Sequence, residues 1–216
     1  AAALVPSLAM AEAGDIVVRL RATHISPDTS SKLQSTTVGL DGGAAANALY
    51  GTGANAALQV DNNTIPEIDF SYYITKNIAA ELILATGTRH DVKIEGLGTG
   101  GSATKADLGS VNLLPPTLTL QWHFNPDQTI DPYVGAGVSY VRAMDNNLNL
   151  LGAVPITIDR NNWGVALQAG VDYNLENKWL LNFDVKKIWF DTTVKADLNN
   201  NGNYVKIDQL DIDPWV

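Results

Sequence analysis

Between Asn161 and Phe190 the chain reads NNWGVALQAGVDYNLENKWLLNFDVKKIWF, and few folds can accommodate it. Trp163, Val165, Leu167, Ala169, Val171 and Tyr173 share one parity, and Gly164, Ala166, Gln168, Gly170 and Asp172 the other. After the polar turn Asn174–Asn177, Trp179, Leu181, Phe183 and Val185 alternate with Asn182, Asp184 and Lys186. Alternate residues of a strand point to opposite faces, so this is an antiparallel hairpin with one apolar and one polar face. Trp163 and Tyr173 are ten residues apart, as are Trp179 and Trp189. Ten residues at roughly 3.3 Å each, tilted by about 45°, rise about 23 Å, the height of the apolar band of a transmembrane barrel. Each arm therefore reads as one membrane crossing with an aromatic at either interface.

The other 186 residues fit that reading. The chain has no run of 18 uncharged apolar residues, which argues against a helical membrane protein but not against a barrel, whose strands alternate. A mean hydropathy of −0.02 with 45% hydrophobic residues suits such alternation. The absence of cysteine excludes a disulfide framework and thiolate metal sites. A net charge of −9 argues against a nucleic-acid partner. Ala1–Ala11, AAALVPSLAMA, reads as the remnant of a secretion signal with an A-x-A-like site ending at Ala11, so the mature barrel domain is expected from Glu12 to Val216. An N-terminal helix or strand is the alternative, against which Pro6 and the switch to Glu12-Ala13-Gly14-Asp15 weigh.

Further arms alternate in the same way. In Asp15–Asp28, Val17, Arg19, Arg21 and Thr23 share a face. An arginine facing lipid costs roughly 2–4 kcal/mol near the midplane, so both arginines must face the barrel interior and need carboxylates there. Glu67 and Asp69 of Asp61–Tyr73 are their natural partners. Ile78–Glu95 reads as one arm with Ala79, Glu81, Ile83 and Ala85 inward. Asp107–Phe124 turns Leu118, Leu120, Trp122 and Phe124 outward, and Pro115-Pro116 within it should interrupt regular pairing. Asp131–Met144 is a glycine-spaced strand. Thr29–Val60 and Asp145–Arg160 read as loops, the second unusually apolar. Connections near Lys76, Asp127 and Glu176 are short, whereas those near Gly42, Thr99, Leu150 and Asn200 are long. Short turns at one rim and long loops at the other mark an outer-membrane barrel, with the short side periplasmic. A lipocalin-like barrel would reverse the faces, placing the charged parity in water and the aromatic parity inside.

At this point the residues resemble the OmpW family of small outer-membrane proteins. The stretches that carry the likeness are EAGD at Glu12–Asp15, LLPPTLTLQW at Leu113–Trp122, PYVGAGVSY at Pro132–Tyr140, WGVALQAGVDY at Trp163–Tyr173 and DPWV at Asp213–Val216. The resemblance implies an all-β, eight-stranded antiparallel transmembrane β-barrel in the outer membrane of a Gram-negative bacterium. It further implies passive uptake of small hydrophobic molecules, with lateral exit through the wall at Leu113, Leu114, Pro115 and Pro116. A simple rim bulge is the other reading of those prolines. Family members continue for roughly ten residues beyond the point matching Val216, so the eighth strand is expected to be truncated here, which would leave unpaired edges in lipid.

No catalytic constellation emerges, and His24, His90 and His123 have no metal-ligand spacing. The expectation is a protein that is not an enzyme, without cofactor or metal, monomeric, whose partners are outer-membrane lipid and small hydrophobic solutes. Ala79, Ile83, Ala85, Leu148, Leu151 and Val154 are the expected ligand-lining residues, with small inward residues (Gly135, Gly137, Ala166, Gly170) leaving further space. Arg19, Arg21, Glu67, Asp69, Glu81 and Gln168 form the expected polar plug. Trp122, Trp163, Tyr173, Trp179 and Trp189 form the aromatic girdle. A barrel that only displays loops to a partner is the rival function, separable by whether a cavity exists above the charged cluster. Lys187 falls on the outward parity, and snorkelling to the headgroups is favoured over a bulge.

Overall fold

The structure is a computed structural model that describes residues 2–6, 12–31, 57–85, 88–97, 104–145, 148–150, 154–175 and 179–216. These residues form β-strands only: β1 (Ala2–Pro6), β2 (Ile16–Ile25), β3 (Thr29–Ser30), β4 (Ala57–Val60), β5 (Asn63–Tyr73), β6 (Ile78–Ala85), β7 (Thr88–Leu97), β8 (Thr104–Leu114), β9 (Thr117–His123), β10 (Ile130–Asp145), β11 (Leu148–Leu150), β12 (Val154–Ile158), β13 (Asn161–Asn174), β14 (Trp179–Ala196) and β15 (Val205–Ile212). All pairings are antiparallel. The path runs from β14 through β1, β2, β5, β6, β9 and β10, and returns to β14 through β13. β14 has a divided neighbour on its second edge. Ala2–Pro6 lies along Trp179–Phe183, and β15 lies along Phe190–Ala196. Between them Trp215 bridges Ser26 and Lys187.

Burial alternates with period two along most strands, and in β2 and β9 the buried parity is the mostly polar one. In β2, Val17, Arg19, Arg21, Thr23 and Ile25 are buried while Ile16 and Leu20 are nearly 60% exposed. Leu118, Leu120 and Trp122 of β9 are likewise exposed, with Thr117, Thr119, Gln121 and His123 enclosed. Such an inside-out distribution is stable only with hydrocarbon outside, and it excludes the lipocalin-like arrangement. Leu120→Arg should therefore cost about 2–4 kcal/mol in urea unfolding from lipid vesicles, because its outward position is at mid-strand.

The short turns lie together at one rim and are tied to each other. Lys76 pairs with Asp127 at 3.0 Å, and the Asn174 side-chain amide donates to the Gln128 carbonyl.

Two expectations need correction. Within the segment expected as an apolar loop, β11 and β12 form a hairpin, and Ile156 of β12 pairs with Ala196. Its apolar residues are strand residues that turn Leu148, Val154 and Ile156 into the interior. Lys187 does not snorkel. The β13–β14 register passes it without a shift, so there is no bulge either. Its ammonium donates to the Asp213 carbonyl and lies 4.9 Å from the Trp215 ring centre, because the C-terminal segment packs across it.

Candidate functional site

The interior is built in layers, and the middle layer is charged. Arg19 and Arg21 leave β2 on the same parity and meet carboxylates from three other strands. Arg19 reaches Asp172 at 2.6 Å and Glu81 at 3.4 Å. Arg21 contacts Asp69 at 2.8 Å, Glu81 at 3.2 Å and Glu67 at 3.3 Å, and donates its Nε–H to Asn182 at 2.7 Å. Glu81 is the hub. Its second oxygen accepts from the amides of Gln121 at 2.8 Å and Gln168 at 2.9 Å. Lys186 lies 2.6 Å from Asp184 and 3.7 Å from Glu67 on the upper side. Charges removed from water need oppositely charged partners, and β5, β6 and β13 supply them to β2, although Arg19 Nε and both Asp69 oxygens make no hydrogen bond among the described residues.

The same layer has been filled by aromatic and amide side chains, where open space was expected beside inward glycines. A Cβ on Gly170 would meet the Tyr133 ring at 2.4 Å, and one on Gly135 would meet Gln168 and Gln121 at 3.1 and 3.2 Å. Gly137 is needed for another reason, since its Cβ would fall 2.0 Å from the Leu118 carbonyl oxygen. Gly170 thus lets Tyr133 reach over β13 and donate its hydroxyl to Asp184 of β14 at 2.6 Å. Gly170→Leu should displace that ring and abolish the folded, faster-migrating species on unheated detergent gels. Below the charged layer, Val17, Tyr73, Ala79 and Leu180 close the periplasmic end.

Above the layer the interior is mostly apolar. A cavity of about 80 Å³, counted as the space open to the centre of a water-sized sphere, runs from Glu67 and Lys186 toward the long-loop end. Among the residues expected to line it, Ile83, Ala85 and Leu148 do so. Val154 belongs to the apolar cluster around it. Ala79 lies on the far side of the charged layer, because the cavity sits higher than small inward residues alone suggested. Leu151 lies outside the described residues. His90 lines the wall, and burial lowers the pKa of its imidazole below the ordinary value, although the Asp61 carbonyl at 3.1 Å opposes this. The wall is therefore uncharged at neutral pH at this point.

Leu113 and Pro115 also line the cavity, and among the described residues Pro115 and Pro116 are paired on one flank only. The β6–β9 ladder ends at Ile83 opposite Thr117, and pairing resumes at Thr88 opposite Leu113. On the other flank one register runs from Ser139 opposite Thr117 to Arg142 opposite Leu114, and the Tyr140 N–H donates to the Pro116 carbonyl at 2.9 Å. Proline supplies no N–H, and the Pro115 carbonyl accepts from the hydroxyl of Thr117 at 3.2 Å, not from β6. Leu114 and Pro116 occupy the same break without lining the cavity.

Trp122, Tyr173 and Trp179 are exposed near the short-turn rim, and Trp163 and Trp189 near the other, where Tyr140 packs on Trp163 at 4.9 Å. The expected plug residues Arg19, Arg21, Glu67, Asp69, Glu81 and Gln168 all meet in the charged layer. Sequence reasoning left out Asp172, Asn182, Asp184, Lys186 and Tyr133. The first four stood on the polar parity of the opening hairpin, which was the available signal. Nothing in the sequence marked Tyr133.

A family model described as the OmpW family matches residues 12–216. An uncharacterized outer-membrane protein, y4mB, of Sinorhizobium fredii is 42% identical over 159 residues, covering 74% of this chain and 65% of that protein. The chain thus spans slightly less than two thirds of that relative. Outer membrane protein W of Salmonella typhi is 38% identical over 161 residues, 73% of this chain and 71% of the relative. The crystal structure of the outer membrane protein OprG from Pseudomonas aeruginosa matches with a TM-score of 0.72 at 26% identity, covering 94% of this chain and 92% of that one.

Proposed function

This chain belongs to the OmpW family, an eight-stranded antiparallel β-barrel of the Gram-negative outer membrane, and from that premise we propose that it is a passive channel for small hydrophobic molecules. One observation carries the reading: an apolar cavity stands above a charged layer and borders the break at Pro115. An apolar solute entering from outside finds a wall of Ile, Leu and Val. It cannot pass downward without shedding its apolar contacts among buried charges, where desolvated polar groups offer it nothing in return. Sideways, it meets a wall without a continuous ladder between β6–β7 and β8–β9. Separating strands there breaks few hydrogen bonds, so exit into the lipid is the easier path. The cavity disfavours a barrel that serves only to display loops, since such a barrel has no use for an apolar cavity.

Cells carrying the full-length protein in a lipopolysaccharide-bearing outer membrane should take up n-octane faster than matched cells without it. Equal rates would sink the channel reading. We also retain Ala1–Ala11 as a leader. Sequencing of the membrane-embedded form should begin at Glu12, and processing would remove Ala2–Pro6 from the edge of β14; a start upstream of Glu12 would contradict this.

A further inference from the structure

The cavity that serves the proposed channel is not uniformly apolar, and its few polar groups point to a narrower class of ligand. Thr192 sits on the inward face of β14, lines the cavity, and is 2% exposed. Its hydroxyl oxygen has no hydrogen-bond partner among the described residues. A buried hydroxyl left unpaired costs free energy that a ligand donor or acceptor would recover. The neighbouring inward residues of the same strand, Phe190 and Val194, are apolar and cannot satisfy it.

The floor sets the charge of what can bind. Lys186 is the cation nearest the cavity, and its ammonium is already committed to Asp184 and Glu67. The layer beneath holds the carboxylates of Glu67, Asp69, Glu81, Asp172 and Asp184 against Arg19, Arg21 and Lys186, five acids to three bases. It therefore presents no positive excess, even with one or two of its acids protonated. An anionic head would be desolvated without a counter-charge.

We propose that Thr192 makes the channel selective for neutral amphiphiles, apolar molecules bearing one uncharged hydrogen-bonding group such as an alcohol, over both the bare hydrocarbon and the matching carboxylate. This rests on the channel reading, because it assumes that the cavity is where solute resides. Thr192 is a specificity-determining residue, and the charged floor is the filter against anions.

The test is a titration of the refolded full chain in detergent micelles with n-octane, 1-octanol and octanoate at neutral pH, read by amide shifts of cavity residues such as Ile83 and Val194. Occupancy by 1-octanol should exceed that by n-octane by about three- to tenfold, the worth of one net hydrogen bond, with octanoate the weakest. Micelle partitioning is common to every variant, so the ratio between ligands is the readout. Thr192→Val keeps the shape and should collapse the octanol-to-octane ratio toward the value for micelles alone, while Thr192→Ser, which retains the hydroxyl, should preserve it. A ratio unchanged in Thr192→Val would overturn the inference and leave the channel reading intact, as would octanoate binding as well as the alcohol. Shifts confined to the exterior for all three ligands would overturn both.

Discussion

Glu81→Ala should destabilise the barrel by about 3–5 kcal/mol, the largest effect expected of any single substitution here. Glu81 faces both guanidinium groups and accepts from both glutamine amides. Removing its carboxylate leaves those donors buried, with Arg19 resting mainly on Asp172 and Arg21 on Asp69 and Glu67. No water can reach them without opening the barrel, since Arg19 and Glu81 are both fully buried. Urea unfolding from lipid vesicles, followed by tryptophan fluorescence, measures the loss. Glu81→Gln should cost less, because an amide oxygen still accepts from one arginine. A Glu81→Ala midpoint equal to that of the natural protein would mean that the charged layer does not couple the walls as described.

That layer was partly legible from sequence. Parity alone turned Arg19, Arg21, Glu67, Asp69 and Glu81 inward, because no other placement is tolerable in lipid. Parity gives direction but not height. It could not tell that Asp172 would lie level with Arg19, or that Ala79 would fall below the layer and Ile83 above it. Tyr133 was hidden for a different reason. It reaches β14 only because Gly170 on the adjacent strand makes room, and that pairing depends on the β10–β13 register. The misread segment around Leu148–Ile156 shows the same limit. Strands as short as Leu148–Leu150 and Val154–Ile158 carry too few residues for alternation to stand out from an apolar loop.

Ala85→Trp should remove most of the protein-dependent uptake of n-octane without unfolding the chain. Ala85 lines the cavity beyond the last β6–β9 pair, on the flank where the ladder is broken at Pro115. An indole there would occupy the cavity next to the break. Leu58→Trp, on β4, fills a similar volume at the wall formed with β7, away from the β6–β9 break. It should reduce uptake less. Equal losses in the two variants would favour simple filling of the cavity over an exit at the proline break.

On the proposed route, solute enters the upper cavity and leaves sideways, never crossing the charged layer. Photo-cross-linking with a diazirine-bearing alkane, added outside cells that carry the full chain and mapped by mass spectrometry, tests it most directly. Adducts are expected on Ile83, Leu113 and Pro115, and none on Val17, Ala79 or Leu180 beneath the layer. Adducts on that lower trio in the folded protein would contradict it.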